Sequence, residues 1–525
     1  MGGWWRQAVI YEIAPISFQD SNGDGKGDLR GLLQRIDHLV WVGVGAVWLT
    51  PIQKSPMRDF GYDIADYCAI DPVYGTMEDF DRLLEALHRA GIRLILDLVP
   101  NHTSSEHPWF GESSSSRSNP KADWYLWSQP ADNGGPPNNW KSRFGGSAWT
   151  WCEAREQFYC HTFLTEQPDL NWRNDEVRQA FADVMRFWLE RGVDGFRVDA
   201  SAVLIKDDLL RDNPPKPDAT DKTPPPQRDT PVFNDDRPEA MSCIEMMRQV
   251  LDEYDQRILC GEVQGKTDRI GHFYGSTKPR LHLPLNFALL DADWSALSLQ
   301  AAIDAYFNAL PEHAWPVWVI GGHDKRRVAS SIGKVQARVL AMLLLTVKGT
   351  PFFYMGDEIG AERSPVPPDR VQDPFEKLVP GYGLGRDGER TPMRWDGDRR
   401  GGFTSGEPWL PIASDQSRNV AEQREDKRSM LHLYHQLIRL RRDEPALVEG
   451  DYQAVRARND VICYARILGE RKLLVALNIS QEPRRWEFDG RGRQLLSTAL
   501  DDCRDEVAQS VILRGNEGAI IAIEG

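Results

Sequence analysis

Asp97, His102, Arg197, Asp199, Glu262, His323 and Asp324 combine acids, bases and a cation in a pattern that chemistry can use. Each stands at or just beyond the end of a short run of β-branched or aromatic residues. Asp97 and His102 flank the end of one run, Arg197 and Asp199 lie on the next, Glu262 ends another, and His323-Asp324 follow a later one. A buried carboxylate is unfavourable unless it is paired or put to use. Four acids gathered with two histidines and an arginine therefore point to a reaction centre rather than to unrelated ion pairs. Paired carboxylates can perform general acid–base and nucleophilic catalysis, provided their environments keep one protonated and the other ionised. Arg197 lies two residues before Asp199, on the same face of an extended segment. There its cation would keep Asp199 charged and oriented.

These residues meet only if the elements that carry them converge. Residues 8–15, 46–51, 93–100, 195–200, 258–263, 283–290, 316–320 and 351–355 read as strands. Helical apolar spacing separates them, as over 29–42, 77–90, 177–191 and 241–254. Strands alternating with helices in this way predict an α/β fold, either a closed parallel barrel or a doubly wound sheet. In a parallel barrel the C-terminal strand ends share one mouth. The alternation is broken over 101–175 by a stretch rich in Ser, Pro, Gly, Asn and Trp, too long for a plain loop and read as a small inserted domain. Irregular stretches follow at 206–237 and 361–416. Beyond a helix near 427–442, short strands and turns from 451 onward read as a separate β-domain. The expected division is 1–101 with 176–445 for the barrel, 102–175 for the insertion after strand 3, and 446–525 for the C-terminal domain.

A chain of 525 residues exceeds one compact domain. A formal net charge of −15 argues against nucleic acid or an anionic membrane as partner, since both attract basic surfaces. The longest apolar run, 339–347, is too short to span a bilayer, and the first residues lack the layout of a signal peptide. Seven cysteines, at 68, 152, 160, 243, 260, 463 and 503, show no C-x-x-C spacing and read as reduced thiols. A cytoplasmic protein is expected. The 18 Trp, 14 Tyr and 19 Phe suit core packing and also a sugar cleft, where apolar sugar faces stack on rings.

Four ordered segments carry a resemblance to a known family. Asp97-Leu98-Val99-Pro100-Asn101-His102, Gly195-Phe196-Arg197-Val198-Asp199, Gly261-Glu262-Val263 and His323-Asp324 resemble the signature segments of the α-amylase family, glycoside hydrolase family 13. Gln167-Pro168-Asp169-Leu170-Asn171 and the stretch from Arg386 to Met393 are similar to the oligo-1,6-glucosidase/α-glucosidase subgroup. The resemblance implies a (β/α)8 TIM barrel with a C-terminal β-sandwich domain. It implies a retaining, exo-acting α-glucosidase that hydrolyses short α-glucosides such as maltose, with transglycosylation as a side reaction. Asp199 would be the nucleophile and Glu262 the acid/base, while Asp324 holds sugar hydroxyls. His102 and His323 would hydrogen-bond the same sugar, and Tyr62 would stack on it. Asp63 and Arg386 would grip its 4-hydroxyl. Phe144 and Phe163 fit either the pocket entrance or the core. The family usually has Asn before His-Asp; this chain has Gly322, following Gly321, and two glycines relax the backbone.

Asp20, Asn22, Asp24, Lys26 and Asp28 space oxygen donors two apart in a Gly-rich loop, as a hard cation requires. The alternative is a polar turn with Asp28 capping a helix. The subgroup carries a structural Ca2+, sometimes Mg2+, here, with Lys26 contributing its carbonyl. Ala200, directly after the nucleophile, is small. In the subgroup Val at this position accompanies α-1,6 specialists, so Ala predicts a preference for maltose over isomaltose. The rival activity is α-glucosyl transfer or isomerisation on the same fold, by an α-glucosyl transfer enzyme, a trehalose synthase or a sucrose isomerase. A non-catalytic relative, like the heavy chains of amino-acid transporters, would show a membrane anchor and broken motifs; this chain keeps the motifs.

Overall fold

The computed structural model describes residues 3–263, 267–458, 460–501 and 506–524; Cys503 lies outside them. Eight parallel strands form the barrel: β1 (Ile10–Ile13), β2 (Ala46–Leu49), β3 (Arg93–Leu98), β4 (Gly195–Val198), β5 (Ile258–Glu262), β6 (Leu283–Leu285), β7 (Val317–Val319) and β8 (Thr350–Tyr354). Hydrogen bonding runs in the order β6-β5-β4-β3-β2-β1-β8-β7. β6 and β7, the two ends of that ladder, stand in contact and nearly close the cylinder.

Period-two alternation sorts each strand into two faces. Ile10, Ala46, Trp48, Ile95, Ile258, Cys260, Leu283, Val317, Val319 and Phe352 form a cluster of their own inside the barrel. The opposite faces, with Tyr11, Val47, Leu94, Leu96, Phe196 and Leu259, join the larger core beneath the helices. The inward set turns polar at the C-terminal ends. Glu12, Asp97, Arg197 and Glu262 continue, at steps of two, the rows begun by Ile10, Ile95, Gly195 and Cys260. Register aligns them: Asp97 and Cys260 both pair with Arg197. Apolar layers thus plug the barrel, and a charged layer caps them.

Local rules explain where elements start and stop. The helix Met77–Arg89 opens with a capping box between Thr76 and Asp79. The single helix expected over 29–42 is two, Leu29–Gln34 and Ile36–Val42, broken at Arg35 (φ −111, ψ 12), whose Nε donates to Gln19 Oε1 at 2.7 Å. The strand expected over 283–290 is only Leu283–Leu285. Asn286 Oδ1 then accepts the N–H of Ala288 and starts the short helix Ala288–Asp291. Between β3 and β4 lie a helix, Pro108–Ser115, and a three-stranded sheet of Trp127–Ser128, Gln157–Cys160 and Trp149–Cys152.

The antiparallel β unit expected at the C-terminus is present, and its six strands are joined in one sheet. They are β9 (Asp451–Arg458), β10 (Val461–Leu468), β11 (Arg471–Asn478), β12 (Arg484–Ser497), β13 (Val507–Leu513) and β14 (Gly518–Ile523), in the order β9-β10-β11-β14-β12-β13. One face, with Ile462, Tyr464, Val475 and Ile520, packs into the main core. The other holds a cluster including Val461, Leu474, Val511 and Ile521. Buried Arg441 and Arg466 tie sheet to barrel through carbonyls, both reaching Leu447 O, Arg441 also Leu345 O and Arg466 also Thr346 O. Among the described residues no helix is long and apolar enough to cross a membrane.

Candidate active site

At the barrel mouth lies a cavity of about 490 Å³. The side chains of Asp199 and Glu262 reach it, 13% and 10% exposed, while Arg197 stands behind them at 3%. One guanidinium serves three acids. Arg197 Nη1 donates to Asp97 Oδ1 at 3.0 Å and to Asp199 Oδ1 at 2.8 Å; Nη2 donates to Glu262 Oε2 at 2.5 Å. Its carbon sits 4.8 Å over the ring of Trp48, the top of the apolar plug. Backbone bonds fix the two cavity-facing acids. Asp199 N donates to Leu98 O at 2.8 Å, and Ser201 Oγ to Glu262 O at 2.5 Å.

Burial raises Asp199, to about 8; Arg197 opposes the shift, and the charges of Asp97, Glu262 and Asp324 add to it. Burial likewise raises Asp97 against the pull of Arg197 and His323. Acids this close titrate together.

A second charged group forms one wall. Burial opposes ionisation of Asp324, yet His323, Arg386 and Arg390 hold its carboxyl well below the usual range. Arg386 Nη1 donates to Asp324 Oδ1 at 2.9 Å, and Arg390 Nη2 bonds the same oxygen. Arg386 also reaches Asp59 Oδ1 at 3.1 Å and Asp373 Oδ1 at 2.9 Å. Tyr62 Oη donates to Asp97 Oδ2 at 2.9 Å and meets His323 Nε2 at 2.9 Å, linking the two groups. Gln167 Nε2 braces Asp59 at 3.2 Å and lies 3.1 Å from His102 Nε2. Burial lowers the pKa of His102.

Asp59, Tyr62, His102, Phe144, Phe163, Asp199, Ala200, Glu262, Asp324 and Arg386 all line the cavity. Phe144 and Phe163, left between two readings by the sequence, are wall residues. Asp63 is not. It is fully covered, its carboxylate accepting from Ser55 Oγ and the N–H groups of Arg58 and Asp59. The acid that pairs with Arg386 at the wall is Asp59, four residues earlier. Between them Phe60 (φ 52) and Gly61 (φ 101) turn the chain back, so the motif's two acids face opposite ways. Arg390, Phe375, Arg143, Lys325 and Glu12 were also missed. Gly321 and Gly322 do not use the left-handed region. A Cβ at Gly321 would lie 2.5 Å from Asp357 Oδ2, and one at Gly322 3.2 Å from Glu12 Oε2. Their role is room, not backbone freedom.

The loop 20–28 folds tightly. Asp20 Oδ1 accepts from the N–H of Asn22 and Gly23, and its Oδ2 from Gly25 N at 2.8 Å. Asp24 Oδ1 accepts from Lys26 N at 2.8 Å. Asp28 caps the following helix through Gly31 N at 2.7 Å. Both sequence readings of Asp28 are compatible with this. No group of three or more His, Cys, Asp or Glu side chains among the described residues is gathered to hold a metal ion.

Residues 12–450 match the alpha amylase catalytic domain. The chain belongs to the α-amylase family. Relatives in that family include a probable alpha-glucosidase of Rhizobium meliloti (strain 1021), 42% identical over 91% of this chain and 90% of its own. An oligo-1,6-glucosidase of Parageobacillus thermoglucosidasius is 38% identical over 91% of each chain. Among solved α-amylase-family structures, an alpha-glucosyl transfer enzyme superposes with a TM-score of 0.94 at 38% identity, covering 100% of both chains. An isomaltulose synthase mutant from Erwinia rhapontici NX5, in complex with its natural substrate sucrose, gives 0.89 at 33%, with 100% of both chains covered.

The geometry separates Asp59 from Asp63. Asp59→Ala should lower kcat/KM on an α-glucoside about 10- to 150-fold, the loss of one hydrogen bond to a charged group. Asp63→Asn should lower Tm and leave KM near wild type. A KM loss at Asp63 with none at Asp59 would reverse the assignment.

Proposed function

We propose that this protein is a retaining, exo-acting α-glucosidase that works on short α-glucosides from the non-reducing end. The observation that carries the reading is the shared guanidinium. With Asp199 and Glu262 on adjacent nitrogens of Arg197, the two acids are held close together, as a retaining pair with its short spacing of about 5–5.5 Å needs. Asp199 attacks the anomeric carbon and forms a glycosyl-enzyme; the Glu262 proton goes to the departing oxygen. Glu262 then takes a proton from water as water displaces Asp199. The Asp59–Arg386 pair stands in the cavity wall, where it would meet the outer hydroxyls of a terminal glucose, and this supports exo action. A second reading, transfer to another sugar, is favoured by the Phe144, Phe163 and Phe375 rim, which offers an acceptor rings rather than bulk water. Free thiols at the six described cysteines suit a reducing cytoplasm.

We also propose a structural Ca2+ or Mg2+ held by Asp20, Asn22, Asp24, Asp28 and the Lys26 carbonyl. The donors are all oxygen, and Gly23 (φ 84) and Gly25 (φ 87) allow the curl such a loop needs. The ion would supply folding stability away from the mouth.

Asp199→Asn should abolish turnover with the fold intact. Glu262→Gln should lose far more on maltose than on an activated aryl glucoside, whose leaving group needs less acid help. Equal losses on both, with glycosylation rate-limiting, would remove Glu262 from the role.

Ala200 lines the cavity at φ 47. Maltose should be cleaved better than isomaltose. Ala200→Val should shift the ratio of the two kcat/KM values toward isomaltose, within the roughly 10- to 200-fold that methylene-scale changes allow. A β-branched residue at positive φ is strained, so the variant also loses stability; the ratio is independent of active fraction. An unchanged ratio would refute the linkage role.

Strong chelation should lower Tm by about 2 °C or more before it alters kcat. An unchanged Tm in protein verified metal-free would refute the cation.

A further inference from the structure

Glu12 is the one charged residue in the run Ile10-Tyr11-Glu12-Ile13, and alternation points it into the barrel, 2% exposed. Its Oε1 accepts from His323 Nδ1 at 2.5 Å and from the His323 backbone N–H at 3.2 Å. The other oxygen lies where a side chain at position 322 would stand. Glycine there, in place of the usual Asn, is what gives the carboxylate its space. His323 Nε2 meanwhile meets Tyr62 Oη at 2.9 Å and Asp324 Oδ2 at 3.3 Å.

We propose that Glu12 is a positioning residue that holds His323 as a charged imidazolium, both of whose ring nitrogens donate, with Nε2 turned toward Tyr62, Asp324 and a bound sugar. The inference rests on the α-glucosidase reading for its kinetic consequence only. Three carboxylates face the ring's surroundings: Glu12 from β1, Asp324 from its own loop, and Asp97 from β3 through Tyr62. Against them stand Arg390, whose Nε donates to His323 O at 3.1 Å, Arg386 on Asp324, and Arg197 on Asp97. Tyr62 is a further titratable neighbour, and burial keeps it a neutral phenol; on the Glu12 side lie Tyr354, also kept neutral by burial, and Asp357, which burial pushes up to about 7. Burial opposes the imidazolium, yet Asp324 and Glu12 outweigh it and raise His323 to about 9.

That direction fixes a pH dependence. A histidine raised above its unfolded value of about 6.5 stabilises the fold fully below that pH. The contribution disappears as pH rises through about 9. Glu12→Gln keeps shape and an acceptor oxygen but removes the charge. It should lower Tm most below pH 6.5, and the gap to wild type should vanish above pH 9. The alkaline limb of kcat/KM on maltose should move down by a pH unit or more. Independently of turnover, 13C-labelled histidine NMR, with the signal assigned from His323→Asn, should show His323 protonated in wild type at pH 7.5 and titrating at least one unit lower in Glu12→Gln. A neutral His323 at pH 7.5 in wild type, or the same titration in both proteins, overturns the proposal even if the enzyme is an α-glucosidase. Absent glucoside turnover with the expected titration would fail the functional reading and leave this one standing.

Discussion

The rest of the site is arranged around the guanidinium of Arg197. A cation this deeply buried is tolerable only with anions around it, and three carboxylates meet it within 3.2 Å. The acids in turn depend on it. Removing one partner of a buried ion cluster costs about 3–5 kcal/mol, because the remaining charges are left uncompensated. Its position is set from below by the ring of Trp48 and from the sides by the register of β3, β4 and β5. A slip of one residue in any of these strands would turn its charged residue outward. The apolar layers beneath are therefore what fixes the geometry of the charged layer above them.

Outside the strands, the wall is assembled from segments far apart in the chain. Arg386 meets Asp59, Asp324 and Asp373. Asp373 also caps the helix Pro374–Leu378, which carries Phe375 into the cavity. Phe375 lies 4.3 Å from Phe144, a residue of the segment between β3 and β4. The long irregular stretches thus have a common purpose in the fold. Each delivers charged or aromatic side chains to a mouth that the strands alone would leave open.

Strand-end acids were legible because period two and the β-strand pattern locate them without tertiary knowledge. The separate roles expected of Asp199, Glu262 and Asp324 come from the family resemblance, not from residue type and position alone. Asp59 was not legible. It shares a motif with Asp63, and only the reversal at Phe60 and Gly61 decides which carboxylate faces the cavity. Glu12 left a signal, a lone acid in an apolar run, whose meaning needs the partner His323, distant in sequence and carried after β7, two strands away. Gly322 suggested backbone freedom, because a sequence shows a missing side chain but not what fills its place. β12 is hard to read from the sequence for a different reason. Its burial alternates along a highly charged segment broken by register shifts, which weakens the apolar period.

Charge balance connects these observations to the chemistry. A neutral sugar brings no counterion, so the protein must compensate every charge it places around the cavity. With His323 counted as charged, six cations, Arg143, Arg197, His323, Lys325, Arg386 and Arg390, stand among eight carboxylates, Glu12, Asp59, Asp97, Asp199, Asp235, Glu262, Asp324 and Asp373. The excess is negative even with one acid protonated. In a pocket walled by buried groups such a field is screened less than in bulk water. It disfavours adding anions and favours positive charge on whatever is bound. Glycosidic cleavage develops that charge at the anomeric carbon as the leaving oxygen departs. Ground-state sugar, being neutral, gains little from the same field. The imbalance that makes the empty site costly to fold is thus the feature that discriminates the transition state from the substrate.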